Sequence, residues 1–421
     1  MGAFTDFLFV LCLCVEVCVL LYLEIKTWKT IYTPLTFLIL PFMLIVALTI
    51  GASGQLGFVN FYYPSLMLWI VGLPIFAIPS FVLGVLMQRV GYPLNAAVRE
   101  LSMPKLLVWI ALALCVLFLY RIYTYTGASQ HYIGSDDFGL EFAGQGMWGH
   151  LRILTLPLLI AAIYYVGREN RWLWLVIVIF LFVGVLYNVK GWMIIPCVAG
   201  LALRLYSGKT KLKLSFVLYL LLGGLGVFMF AYLVLPMIAA EKEEVTTDML
   251  TYVFEHFIHY LTSGTMGLSV DMQLGFPDAG DFETIWAPII NLINAITGKD
   301  ELVSPINPYY YHTGINITNV RTFFGTLYIY TSGLQFVWYI LLSSTMMYFL
   351  KLATIKWNNI YMYVIYFFEC GLLAMGWFEF YYFHLVVFEL PIIVALLWLA
   401  DWVLHGREVI GRSYEHETAS L

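Results

Sequence analysis

Long apolar runs separated by short polar connections dominate this chain. Runs of spanning length fall near residues 5–23, 33–51, 63–86, 105–121, 152–167, 172–188, 191–206, 214–238, 323–350, 358–376 and 381–400. A hydrocarbon core about 30 Å thick is crossed by an apolar helix of about 20 residues, so the pattern predicts about eleven transmembrane helices. The run at 191–206 is short, and Tyr187-Asn188-Val189-Lys190-Gly191 before it reads as a tight turn, so a re-entrant pair is the alternative there. The expected organisation is helices one to eight over 1–238, a large loop over 239–322, helices nine to eleven over 323–403 and a tail over 404–421.

The loop is too rich in periodic apolar residues to be disordered. From Thr247 to Leu261, Met249, Leu250, Val253, Phe254, Phe257, Ile258 and Leu261 recur at helical spacing, with Tyr252, Glu255, His256 and His259 on the other face. A second amphipathic helix is expected over Glu283–Thr297, ended by Gly298 and suited to lie along the membrane interface. Ser304–Asn319, rich in Pro, Asn, Tyr and Gly, reads as irregular. A shorter polar segment, Ile122–His150, carries Asp136, Asp137, Glu141 and two histidines.

Composition narrows the class further. The chain is 62% hydrophobic and 11% charged, against about a quarter charged in soluble proteins. Its formal charge of −5, with no basic cluster larger than Lys209, Lys211 and Lys213, excludes a nucleic-acid partner. All six cysteines lie within apolar runs and show neither metal spacing nor a disulfide framework. The first run carries Asp6, lacks a basic leader and small-residue cleavage site, and is expected to be a retained span.

Charge distribution sets the expected orientation. With the N-terminus outside and the C-terminus inside, fifteen of the 21 basic residues face the cytoplasm, as the positive-inside rule favours. Arg121, Arg152, Lys190 and Arg321 then lie near the outer ends of separate spans. A lipid-linked diphosphate accounts for such a set, because its headgroup sits at that depth and guanidinium groups bind phosphate oxygens bidentately. Singly, each cation is equally explained by snorkelling or by pairing with a loop carboxylate; the set of four favours function.

In the large loop, His256, His259, His312, Glu255 and Asp271 are candidates for a general base toward a sugar hydroxyl, with His256, His312 and Asp271 foremost. No metal signature accompanies the histidines, and ordinary polar-face residues account for their spacing better than a metal site. Tyr310, within Pro308-Tyr309-Tyr310-Tyr311-His312, and Asn319 offer flat apolar faces beside hydrogen-bonding tips that suit a sugar ring. An interfacial aromatic belt has the same composition. Glu16, Glu369 and Glu389 lie inside apolar runs, where hydrogen bonding to tyrosine is the expected way to satisfy each carboxyl.

Three segments resemble the bacterial oligosaccharide repeat-unit (O-antigen, Wzy-type) polymerases, membrane glycosyltransferases of the GT-C-like kind. They are Asn188-Val189-Lys190-Gly191-Trp192-Met193-Ile194-Ile195; His259-Tyr260-Leu261-Thr262-Ser263-Gly264 with Gly275-Phe276; and Asn319-Val320-Arg321-Thr322-Phe323-Phe324-Gly325-Thr326-Leu327-Tyr328 with Ser332-Gly333-Leu334. Where this family usually has Arg, the chain has Lys190.

The resemblance implies an all-α, polytopic, GT-C-like fold with a large helical loop on the outer face of a bacterial cytoplasmic (inner) membrane. It also implies an undecaprenyl-diphosphate-linked oligosaccharide substrate, no nucleotide sugar and no cofactor, and a chain-length regulator and a flippase as companions. The basic residues would hold the diphosphate while His256 or His312 accepts the proton. An O-antigen ligase shares the outer loop; a flippase or transporter, for which Glu16, Glu369 and Glu389 speak, is expected to show internal repeats and short loops.

Overall fold

A computed structural model describes residues 3–405 apart from 56, 95–100, 130, 132, 134, 190, 214–222, 227, 231–246, 276–281, 300–301 and 332. The chain is an all-α membrane protein. Among the described residues, seven helices are long and apolar enough to cross a membrane. They are α1 (Ala3–Trp28), α2 (Pro34–Ala52), α3 (Met67–Arg89), α4 (Lys105–Thr126), α5 (Gly146–Tyr165), α11 (Leu334–Trp357) and α13 (Leu385–His405).

Three further apolar helices, α6 (Leu173–Tyr187), α7 (Gly191–Tyr206) and α12 (Ile360–Ala374), are shorter. At 1.5 Å per residue, the 15 residues of α6 reach about 22 Å, less than a full hydrocarbon core. The turn expected at Asn188 is present: its backbone adopts φ 63° and ends α6. The expected span over 214–238 and the tail after residue 405 fall largely or wholly outside the described residues.

Two expectations about single elements are corrected. The apolar run 323–350 is not one helix but α10 (Phe323–Tyr330) followed by α11. Thr331 is extended (φ −134°, ψ 159°) and Gly333 takes φ 43°, so the backbone leaves the helix although hydropathy does not fall. The first loop helix, α8, runs over Thr247–Leu274 and does not stop at Leu261.

The extension of α8 is built from small hydroxyl residues that satisfy themselves on their own helix. Thr262 Oγ1 donates to the Ile258 carbonyl at 2.9 Å, and Ser263 Oγ to the Tyr260 carbonyl at 3.0 Å. This half is buried, as close packing of small residues allows. The hydroxyls of Thr265 and Thr49 meet at 2.6 Å, tying α8 to α2. Burial therefore follows the C-terminal half and not the expected apolar stripe: His259 is buried while Leu250 and Phe254 are exposed.

The second loop helix, α9 (Ala287–Thr297), stops at Gly298 with φ 72° as expected, and follows a short 3-10 turn over Phe282–Trp286. Its Ile289, Leu292, Ile293 and Ile296 are exposed, the pattern of a helix lying against an apolar medium. Within the irregular stretch that follows, β1 (Tyr311–His312) and β2 (Ile317–Thr318) form a small antiparallel hairpin, with Tyr311 opposite Thr318.

The helices sort into two compact units. The first comprises Met1–Ala97, Gly208–Trp357 and Glu369–Val387, and thus α1–α3, α8–α11 and the hairpin. Its interior holds a carboxylate that falls just past the predicted end of the first apolar run. Glu24, fully buried, accepts hydrogen bonds from Ser80 Oγ (2.5 Å) and Tyr348 OH (2.6 Å), and Trp28 Nε1 donates to Ser80 at 2.8 Å. This polar staple joins α1, α3 and α11. Lys351 is buried and donates to the Tyr32 carbonyl at 3.1 Å. In the same unit Glu369 is buried near Tyr382, whose hydroxyl donates to Met347 Sδ at 3.2 Å.

The second unit comprises Val98–Ser207, Asn358–Phe368 and Phe388–Leu421. Its core is α5 packed against α6 and α7, with a helical turn (Asp136–Gly139) and a π turn (Leu140–Gly144) leading into α5.

Candidate functional site

Two places collect the residues singled out from the sequence, one in each unit. In the first unit, Arg321 precedes α10, where Thr322 caps the helix by accepting from Gly325 N at 3.4 Å. Its side chain and that of Asp271 on α8 are both inaccessible. Arg321 Nε donates to Asp271 Oδ2, and Nη2 donates to Oδ1 at 3.2 Å and to the Tyr309 carbonyl at 3.4 Å. Nη1 donates to the carbonyls of Val320 (2.9 Å) and Thr318 (3.5 Å), and the guanidinium sits 4.9 Å from the Tyr311 ring centroid.

A guanidinium has five N–H donors, and here five acceptors surround it. Burial pushes the Asp271 carboxyl above its usual range, while Arg321 pulls it back. Arg321 and Asp271, expected to bind diphosphate and to act as a base, are thus engaged with each other. Between them they lock α8 to the hairpin and to α10. Gly267 makes the approach possible: a Cβ there would collide with the Val320 carbonyl and the Arg321 guanidinium.

Next to this lock, the loop histidines hold the hairpin. His259 bridges Thr313 Oγ1 (Nδ1, 3.1 Å) and the Ile317 carbonyl (Nε2, 3.2 Å). Burial first, and then the charge of His256, pushes its imidazole down to about 4. His256 stacks on Tyr252 and meets Asn316 Nδ2 at 3.3 Å. His312 is exposed and accepts from Gly314 N at 3.0 Å. Tyr310 is exposed, and Asn319 Nδ2 donates to the Asn307 carbonyl at 3.1 Å. The histidines and Tyr310 therefore edge one hairpin, with Asn319 just past its second strand.

The second unit presents a different kind of arginine. Arg152, on α5, is 7% exposed. Its Nε donates to the Ala143 carbonyl at 3.1 Å and its guanidinium lies 4.0 Å from the Tyr187 ring centroid. Among the described residues no carboxylate lies within ion-pair distance of it and neither Nη atom makes a hydrogen bond. The guanidinium lines a narrow, largely apolar recess with room for little more than one water-sized group, shared with Thr155, Leu156, Phe180, Tyr187 and Trp192 among others.

Val189 belongs to the turn expected between α6 and α7, Trp192 and Met193 to the start of α7 just after it, and Lys190 lies outside the described residues. Arg121, at the end of α4, donates to the carbonyls of Glu141 (3.0 Å) and Phe142 (3.3 Å) between the rings of Tyr125 and Trp148. A hydrogen bond from Tyr125 holds the Glu141 carboxyl below its usual range.

One pair in this unit was not assembled from the sequence. Glu389 on α13 has as its partner not the expected tyrosine but His150 Nδ1, at 2.6 Å. Nothing local signals a contact between positions so far apart in the chain. Among the described residues, no group of three His, Cys, Asp or Glu side chains is arranged to hold a metal ion.

No curated protein and no solved structure matches the chain. A family model does match, over residues 57–404, which takes in the recess of the second unit and the loop of the first. On that match the chain belongs to a family of unknown function, DUF6337.

Proposed function

We propose that this protein is a membrane glycosyltransferase that joins undecaprenyl-diphosphate-linked oligosaccharide units into a polysaccharide at the outer face of a bacterial cytoplasmic membrane. The observation that carries the reading is Arg152: a buried guanidinium with two unengaged amino groups, facing a recess, beside a turn similar to that of the repeat-unit polymerases. A buried guanidinium is costly when its donors lack acceptors, and a diphosphate oxygen reaching the recess would engage them. An exposed lipid-facing charge would have no such need.

In this reaction the hydroxyl at the nonreducing end of one unit attacks the anomeric carbon of another. The new C–O bond forms as the bond to diphosphate breaks, and the lipid diphosphate leaves with the electron pair. Arg152 stabilises the charge that develops on the leaving group, where preorganised donors act most strongly. Arg321 has another task here, holding α8, the hairpin and α10 together so that the loop presents its aromatic residues to the sugars.

The test uses purified protein in lipid nanodiscs with polyprenyl-diphosphate-linked saccharides extracted from the native cells. The expected product is a ladder of lengthened chains, lost in Arg152→Ala and partly kept in Arg152→Lys. A single transfer that requires a second, different acceptor would instead make the protein a ligase. No product, with no binding of undecaprenyl diphosphate, would overturn the reading.

A further inference from the structure

The unit that contains Arg152 also contains an acid–base pair that bridges α5 and α13. His150 stands two residues before Arg152 in the first turns of α5, and its side chain is 64% exposed. Its Nδ1 lies 2.6 Å from Glu389 Oε1, and Glu389, on α13, is 16% exposed. A carboxylate only accepts, so Nδ1 is the donor in this contact, which makes Nε2 the nitrogen able to accept a proton in the neutral ring. Among the described residues Nε2 has no partner, and Glu389 Oε2 is buried with none either. Glu389 is also near enough for its charge to act on Arg152.

A buried carboxylate oxygen left unbonded is uncommon, because desolvating it is unfavourable. The other oxygen, Oε1, is held against the ring of an exposed histidine, and a carboxylate so placed has a recognised use: it orients the imidazole and stabilises the cation formed when Nε2 takes up a proton. The loop histidines lack this arrangement. His259 has both nitrogens engaged by the hairpin, and His312 uses Nδ1 to accept from a backbone amide.

We infer that His150 is the catalytic base and Glu389 its positioning residue, the pair taking the proton of the acceptor hydroxyl while Arg152 holds the departing diphosphate. This rests on the glycosyl-transfer reading above. The balance is complete: the acceptor O–H proton passes to His150 Nε2, the hydroxyl oxygen bonds to the anomeric carbon, and the diphosphate departs with the electrons of the broken C–O bond. The imidazolium then releases its proton to water, which its exposure allows.

The test measures chain elongation by full-length protein in nanodiscs, with lipid-linked saccharides extracted from the native cells, alongside direct binding of undecaprenyl diphosphate. His150→Ala and His150→Gln are each expected to lower kcat by about 100-fold or more, the usual scale of general-base catalysis, with half-saturation and undecaprenyl diphosphate binding unchanged. Added imidazole restores part of the rate in His150→Ala, where it can occupy the vacated space. Glu389→Gln lowers kcat by a smaller factor, roughly 10-fold, and Glu389→Asp recovers part of it.

Elongation at the native rate in both His150 variants, with Arg152→Ala inactive, would overturn the base assignment and leave the diphosphate reading standing. Loss in both without imidazole rescue would make the pair structural and overturn it as well. Failure of the native protein to elongate any chain or to bind undecaprenyl diphosphate would remove the reading itself, and the base with it.

Discussion

Arg321 and Arg152 are both buried, both stacked on a tyrosine and both near the start of an apolar helix, yet they are built for opposite ends. Every donor of Arg321 has an acceptor, two of them on one carboxylate, so its charge is neutralised inside the fold. Arg152 has one bonded nitrogen, an aromatic face and a narrow recess. A saturated arginine ties segments together, whereas an unsaturated one keeps donors that an anion could engage. What separates them is the presence of Asp271 on the helix packed against Arg321 and the lack of a carboxylate within pairing distance of Arg152 among the described residues.

The comparison breaks most visibly at Asp271. Asp271→Ala leaves the Arg321 charge buried and uncompensated, at an expected loss of about 3–5 kcal/mol of stability. Thermal unfolding in detergent should register it, with partial recovery in Asp271→Ala/Arg321→Met. If Asp271→Ala unfolded at the native temperature, the lock would not exist.

Arg152→Ala should behave in the opposite way. The fold survives, while affinity for undecaprenyl diphosphate falls by roughly 10- to 100-fold, the scale of about 1.5–3 kcal/mol for hydrogen bonds to a charged group. Equilibrium binding to nanodiscs containing the lipid measures it, and unchanged affinity would sink the contrast. Gly267→Val sharpens the comparison from the packing side. Two methyl groups pressed on Val320 and Arg321 should cost about 1–3 kcal/mol of stability and leave Arg152-dependent binding intact.

The smallest expected effect concerns pH. His259 takes up its proton at about 4 when folded, against 6.5 as the ordinary value. Between these limits the unfolded chain binds more protons, so stability falls as pH drops from about 6.5 toward 4 and is level above that window. His259→Gln should flatten the acid side of the stability curve measured by thermal melts. An unchanged slope would mean that His259 is not held neutral by the hairpin.

Much of the architecture was legible in order. Seven of the expected apolar runs became long helices, the turn at Asn188 and the stop at Gly298 stood where side-chain chemistry put them, and the loop contained its two helices. The misreadings share a cause. The break at Thr331–Gly333 and the continuation of α8 past Leu261 both depend on backbone conformation that packing selects, not on local polarity. Glu24 escaped notice because it stands at the margin of an apolar run, where a carboxylate is ordinary; only Ser80 and Tyr348, far away in the chain, make it a staple.

Transmembrane character, helical class and most helix limits follow from composition and periodicity alone, because partition between water and hydrocarbon depends on each residue and its near neighbours. Which arginine is closed by a carboxylate, which lines a recess, and which histidine meets Glu389 were settled only by the packed fold. Charge pairing acts over a few ångströms between groups that the chain separates by 50 or even 239 positions, a relation that no local pattern contains.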